Sequence, residues 1–392
     1  MLPLAGITVV ALEQAVAAPF ATRQLADLGA RVIKVERPGT GDFARRYDST
    51  VKGLSSHFVW LNRSKESLTL DLKHPEAAAI LSKLIDQADV FVQNLAPGAA
   101  ARLNLEAKTL TARHPRLIVC AISGYGSSGP YRDRRAYDLL VQCETGLVST
   151  TGTEDTPSKA GISAADIAAG MYAYSGILTA LYRRERTGRG AALEVSLFDA
   201  LGEWMGYPAY FTAYGGTAPA RTGASHATIA PYGPFATGDG KGVNLGIQNE
   251  REWTRFCESV LQQPALVTDS RFCNVTNRVA HRAALDAAIR EVFGKLTRAE
   301  IVARLDRAQI ANASQNTMQE FWDHPQLAAR DRWRNVGSPV GPIRALLPPV
   351  LMNDAESRMD PIPDVGEHTE GILKALGYTA AQITELRAEA VI

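Results

Sequence analysis

The sequence predicts a doubly wound (Rossmann-like) α/β fold, a parallel sheet in a large lobe joined to a smaller α+β lobe. Three observations carry this. Short β-branched runs alternate with helical stretches over roughly the first 200 residues, the composition shifts after about Tyr214, and a hairpin signature at Asp239-Gly240 opens the second lobe.

Taken in order, Ile7–Leu12 and Arg31–Glu36 are strand-like runs. Between them Pro19–Leu28 has the apolar spacing of three and four that marks a helix, and Gly29 closes it. This is a βαβ unit. The alternation continues with a strand at Ser67–Leu72, a helix at Pro75–Ala88, a strand at Asp89–Asn94, a helical stretch through His114 and a strand at Arg116–Ser123. Such alternation implies parallel strands with helices on both faces and ligands outside the carboxyl ends of the strands. The loops after Glu36, Asn94 and Ser123 are therefore the places for a site. Ala165–Arg186 reads as a long helix rich in small residues, ended by Thr187-Gly188-Arg189-Gly190, and Leu193–Leu197 as another strand.

Gly215–Ala230 is rich in Gly, Ala, Ser and Thr, and Pro231–Ile247 reads as a hairpin, because Asp-Gly supplies the turn chemistry antiparallel pairs prefer. Helices at about Glu250–Gln262, Val279–Phe293 and Arg298–Arg307 come next, then a Pro-rich linker at Gly337–Pro349 and a helical tail. The expected layout is a large domain of residues 1–200 completed by 335–392, a linker at 201–221, a small domain at 222–330, and residues 331–392 as linker and return.

Composition narrows the function. Lys plus Arg (42) nearly cancels Asp plus Glu (41), so no global field holds polyanions, and nucleic acid is not an expected partner. No stretch approaches the 18 or so apolar residues of a membrane span. Met1–Leu12 lacks a basic start and reads as a strand rather than a signal segment. Cys120, Cys143, Cys257 and Cys273 form no CxxC pair and read as buried thiols in a reducing, cytoplasmic setting. The seven His residues show no ligand spacing, so no metal is expected, and no GxSxG elbow points to a hydrolase.

Gly124-Tyr-Gly126-Ser-Ser-Gly129 matches GxGxxG. It follows a late strand and leads into Pro130 and a charged stretch instead of a helix, so a connecting loop is the favoured reading and no NAD site is expected. Arg37, Arg102 and Arg135 lie near predicted strand ends and could together clamp phosphates, for which planar guanidinium is suited. Asp166 sits at the start of the small-residue helix, within Ile162-Ser-Ala-Ala-Asp-Ile-Ala-Ala-Gly170. A carboxylate there is favoured by the helix dipole. Equally, it could attack an acyl thioester, small neighbours giving a bulky cofactor access.

Nine collinear stretches between residues 29 and 378 resemble class III CoA-transferases of the formyl-CoA and carnitine CoA-transferase type, the CaiB/BaiF family. They include LGARVIKVERPGTGD, LNRSKESLTLDLKHP, VQNLAPGAAARL, AYDLLVQCETGL, DIAAGMYAYSGILTALYRRERTGRG and GEHTEGILKALGY. The resemblance implies an interlocked homodimer that moves CoA from an acyl-CoA to a small carboxylic acid, with Asp166 as catalytic aspartate. It implies CoA contacts at Arg37, Asn94, Leu95, Ala99, Arg102 and Arg135, with coenzyme A entering as substrate. Tyr47 and Tyr137 would flank the acyl pocket, and Gly223, Ser225 and His226 would belong to a loop over it, although Arg221-Thr-Gly-Ala-Ser-His226 lacks the family's run of glycines. Ser123 stands where some relatives carry a CoA-contacting Lys.

An α-methylacyl-CoA racemase of the same fold is the alternative, but racemases carry a His where this chain has Tyr137, and a phenol of ordinary pKa near 10 is a poor exchange base. A non-enzymatic CoA-binding scaffold is disfavoured by the intact Asp166 environment. The central stretch and GPIRALLPP look most like relatives using succinyl-CoA and itaconate, mesaconate, citramalate, malate or glutarate. A dicarboxylate leaves one charge to be paired, for which Arg46, Arg63 and His226 are candidates.

Overall fold

The computed structural model describes residues 1–392. Six strands, β1 (Thr8–Leu12), β2 (Arg31–Glu36), β3 (Lys65–Thr69), β4 (Val90–Gln93), β5 (Ile118–Ser123) and β6 (Ala191–Ser196), form one sheet in the order β3-β2-β1-β4-β5-β6. Every pairing is parallel, with Val9 opposite both Val32 and Val90. Val9, Val10 and Ala11 are all fully buried, as expected of a strand covered on both faces. The strand order reverses between β1 and β4, which places the crevice typical of doubly wound sheets outside Leu12 and Gln93.

Helices Pro75–Asp86, Thr369–Ala375 and Ala380–Ala388 cover one face, burying Ile80, Leu84, Leu373 and Leu386 with Val10, Ile33 and Phe91. The carboxyl-terminal segment is tied to β3, where the Thr69 N–H donates to the Thr369 hydroxyl, 3.0 Å away. Helices Ala17–Asp27 and Ala164–Thr187 pack closely on each other. A Cβ at Gly170 would stand 2.7 Å from the Ala17 carbonyl oxygen. Ala168, Ala169 and Ala173 are fully buried. The small residues of the long helix thus serve helix–helix packing, a different use from the cofactor access expected of them.

Two compact units result: Met1–Thr145 with Ala160–Gly206 and Leu327–Ile392, and Gly146–Lys159 with Tyr207–Gln326. The second unit carries an antiparallel sheet of β7 (Tyr232–Ala236), β8 (Gly242–Gly246) and β9 (Asn312–Ala313). At the turn between β7 and β8, Gly240 takes a positive φ of 75°. Trp253, Phe256, Phe272 and Phe293 fill its core. In the first unit, β10 (Trp333–Val336) and β11 (Ile343–Leu346) pair antiparallel within the segment expected to be a linker, because Val336 and Ile343 close over Phe58 and Ile362.

The cysteines need a correction. Cys120 and Cys257 are buried, whereas Cys143 and Cys273 are exposed. Cys143 lies on the outward side of a short helix, and Cys273 just precedes the Asn274 cap of another. No helix is long and apolar enough to cross a membrane.

Candidate active site

Asp166 lies in the first turn of the Ala164–Thr187 helix, where Ser163 makes no side-chain cap. The exposed N–H groups of a helix start need acceptors, and here a distant residue provides one. Asp138 Oδ1 accepts from the backbone N–H of Ala165 at 2.7 Å and of Asp166 at 3.2 Å. Asp138 begins the Asp138–Glu144 helix, and its Oδ2 accepts from Gln142 Nε2 at 2.6 Å. Gln142 is fully buried and also accepts from the Ala160 N–H at 2.9 Å, which fixes both segments together.

This arrangement sets the basicity of Asp166. Desolvation, and secondarily the Asp138 carboxylate, push its carboxyl up to about 7. The helix dipole alone would favour the charged form, so these two effects outweigh it. The result is a carboxylate more basic than usual, and basicity supports nucleophilic attack.

The GxGxxG loop helps place Asp138. A Cβ on Gly124 would come within 2.3 Å of the Ala136 Cβ, so glycine there allows the loop to close onto the segment leading into Tyr137 and Asp138. Ser123 Oγ accepts from the Gly126 N–H at 3.0 Å, a turn-forming role. No helix starts between Gly129 and Tyr137, and the next begins at Asp138.

Tyr47 follows the short Phe43–Arg46 turn of 3-10 helix, capped by Asp42, which accepts from the Ala44 N–H at 2.9 Å. Burial, then the charges of Asp42 and Asp166 and the nearby Tyr137, push the Tyr47 phenol up to about 12. Tyr47 and Asp166 therefore share one electrostatic environment with Tyr137, whose side chain is 67% exposed.

The same unit holds a buried ionic cluster. Lys34 pairs with Asp42 at 2.8 Å and Lys65 with Glu13 at 2.6 Å, all four side chains being fully or almost fully buried. Arg45 makes two bonds to Glu36, at 2.9 and 2.8 Å, and Ser67 Oγ donates to the same carboxylate at 2.6 Å. Desolvation outweighs Glu13 at Lys65, whose ammonium is depressed to about 8, while Asp42 and Glu13 hold Lys34 in its charged form.

A cavity of about 430 Å³ opens at the carboxyl ends of β1, β2 and β3, lined by Gln14, Arg37, Lys73 and Leu95 among others. Arg37 and Leu95 are thus brought together. Asn94 stands behind them, accepting from the Gln14 N–H at 2.9 Å and donating to the Gln14 carbonyl at 2.9 Å. Ala99 and Arg102 form a separate short helix after Gly98, and Arg135 is an exposed loop residue. None of these three lines the cavity. Gln14 and Lys73 are not among the residues expected from the sequence. They sit in the loops after β1 and β3, which obey the same strand-end rule as the loops after Glu36, Asn94 and Ser123, and applying the rule to every strand finds them.

Of the three candidates for a distal carboxylate, Arg63 is corrected. Its guanidinium makes a buried bidentate pair with Asp27, at 2.8 and 2.7 Å, so it is committed to the fold. Arg46 is exposed and makes no ion pair among the described residues. His226 belongs to the second unit, stacked on Tyr232 with centroids 5.3 Å apart. In that unit Gly223 takes φ +62°, and the N–H groups of Gly223, Ser225 and His226 donate to Gly152, Thr222 and Tyr232 carbonyls. Those three amides are engaged within their own unit, which leaves them no free hydrogen to offer an oxyanion in this conformation.

A basic carboxylate at a helix start is equipped for nucleophilic attack on an acyl group, while the cavity at the strand ends is lined by none of Asp138, Asp166 or Tyr47. Residues 4–369 match CoA-transferase family III, and the chain belongs to that family. It is 36% identical over 331 residues to an acetyl-CoA:oxalate CoA-transferase of Acetobacter aceti, covering 84% of this chain and 85% of that one. It is 32% identical over 387 residues to a succinate–glutarate CoA-transferase of Agrobacterium fabrum, covering 95% and 96%. A crystal structure of a CaiB/BaiF family protein from Brucella suis superposes with a TM-score of 0.84 at 32% identity, covering 95% of this chain and 99% of that one. The protein is an enzyme that transfers CoA between an acyl-CoA and a carboxylic acid.

Proposed function

We propose that the enzyme moves CoA from succinyl-CoA to a small dicarboxylate through covalent intermediates on Asp166. The observation that carries this reading is the capped helix start, where Asp138 and burial together raise the basicity of Asp166. An Asp166 oxygen attacks the donor thioester carbonyl and expels CoA thiolate, leaving a mixed anhydride. The thiolate then attacks the Asp166 carbonyl carbon and expels the donor acid, giving an aspartyl-CoA thioester. Attack by the acceptor carboxylate expels thiolate again, and thiolate attack on the acceptor acyl carbon yields the new thioester and free Asp166. Dicarboxylates are favoured because the Acetobacter and Agrobacterium relatives are named for oxalate and for succinate and glutarate.

In this reading Arg37, Asn94, Leu95, Ala99, Arg102 and Arg135 hold CoA. Tyr47 and Tyr137 flank the acyl group, and Gly223, Ser225 and His226 are further substrate-pocket residues on the strength of the family resemblance. An interlocked homodimer is part of the proposal, with residues 1–200 and 335–392 as the large domain and 222–330 as the small one. Its support is the Gly206–Gly215 helix, which buries none of its residues although Tyr210 and Tyr214 are 70% and 86% exposed. Such an aromatic surface calls for a partner.

The test is a panel of donor thioesters against acceptor acids, with product thioester masses read directly. Succinyl-CoA with a dicarboxylate should turn over fastest. Turnover of branched acyl-CoA with α-deuterium uptake from deuterated water, and no transfer to any acid, would refute the proposal in favour of a racemase. Sedimentation should show a dimer that does not dissociate at micromolar concentration unless it is unfolded.

A further inference from the structure

The segment between Glu36 and Tyr47 is held more firmly than a surface loop needs to be. Asp42 caps the 3-10 turn, pairs with Lys34 and accepts from the Ala15 N–H. Arg45 grips Glu36 and donates to the Pro363 carbonyl, with its guanidinium 3.7 Å from the Phe58 ring centroid. The next residue, Arg46, is exposed and pairs with nothing, and it adjoins Tyr47, which shares the electrostatic environment of Asp166. The acceptor two residues on is already engaged: Asp48 takes the Thr50 N–H at 2.9 Å and the Ser56 hydroxyl at 2.7 Å.

The buried cations of the ionic cluster are committed to the fold. Lys34 and Lys65 are fully buried in ion pairs, Arg45 is locked on Glu36 and Arg63 on Asp27. A rigidly mounted turn that ends in an unpaired guanidinium has the form of a preorganised anion site.

We propose that Arg46 is a specificity-determining residue that pairs with the distal carboxylate of an acid whose other carboxyl group reacts at Asp166. This rests on the dicarboxylate reading of the enzyme's function. The distal carboxylate has two sources, the acceptor acid and the succinyl group of the donor, and guanidinium recognises both through the same bidentate geometry.

The test compares wild type, Arg46→Met and Arg46→Lys, using glutarate against pentanoate as acceptors and succinyl-CoA against butyryl-CoA as donors. The kcat/KM preference for glutarate over pentanoate should fall about 100-fold in Arg46→Met and less in Arg46→Lys, since ammonium keeps the charge but loses the fork. A fall in the acceptor arm alone assigns the pair to the acceptor, a fall in the donor arm alone assigns it to the succinyl group, and a fall in both arms assigns it to both acids. Circular dichroism and turnover of butyryl-CoA with pentanoate show that the variants are folded. Unchanged preferences in both arms in Arg46→Met, with wild type favouring glutarate and succinyl-CoA, overturn the role of Arg46. A wild type that does not distinguish glutarate from pentanoate instead removes the dicarboxylate reading, and this inference with it.

Discussion

Two groups of charges lie in the same unit and are treated oppositely. In the cluster of Glu13, Lys34, Asp42, Lys65, Glu36 and Arg45, each charge meets an opposite one at hydrogen-bonding distance, mostly out of contact with water. At Asp138 and Asp166 two carboxylates are neighbours, no cation pairs with either, and one is left with its affinity for protons raised to about 7. The first arrangement quenches charge to hold the backbone in place. The second keeps charge available for chemistry.

Breaking a pair in the first group should have the largest structural effect. Glu13→Ala leaves Lys65 and Lys34 with an uncompensated excess of buried charge, so unfolding should become easier by about 3–5 kcal/mol. Denaturant melts at pH 7 measure this, and a change below about 1 kcal/mol would mean the cluster is not a structural keystone.

In the second group the sign reverses. The folded chain binds the Asp166 proton more tightly than the unfolded chain, so its contribution to stability is full below the ordinary 3.8 and is lost as pH rises through about 7. Asp166→Asn should therefore stabilise the fold by roughly 1–3 kcal/mol at pH 8, while abolishing transfer. The gain should vanish near pH 4, and thermal melts at the two pH values test both parts.

Asp138→Asn sharpens the comparison within the pair. Removing the neighbouring negative charge eases ionisation of Asp166, so the acid limb of the kcat profile should move to lower pH. Because desolvation is the larger cause, the shift should be partial. An acid limb that stays in place would separate the two carboxylates functionally. The smallest effect is expected at Arg102→Ala, an exposed side chain outside the cavity, which should raise the KM for thioester several-fold with little change in kcat.

The parallel sheet was legible because buried strands read as β-branched runs between helical periods, as at Val9–Ala11 and Val90–Val92. The Trp333–Val336 and Ile343–Leu346 pair was not, since four-residue strands among prolines carry no period. Asp166 could be singled out as a helix-start carboxylate and through family resemblance. Its partner could not, because the local rule looks to Ser163 for a cap, whereas Asp138 caps from 28 residues earlier in the chain. Arg63 misled for the same reason, since its carboxylate partner lies 36 residues away.

Chemical trapping tests the central claim most directly. Wild-type enzyme incubated with donor thioester alone, then treated with hydroxylamine or borohydride and digested, should carry a defined mass change on the peptide containing Asp166, mapped to that residue by fragmentation. Asp166→Ala should show no adduct and less than about a hundredth of wild-type kcat, a loss of more than roughly 2.7 kcal/mol in transition-state stabilisation. An unmodified Asp166 peptide under turnover conditions, or an Asp166→Ala variant that keeps more activity than that, would contradict covalent catalysis at this residue.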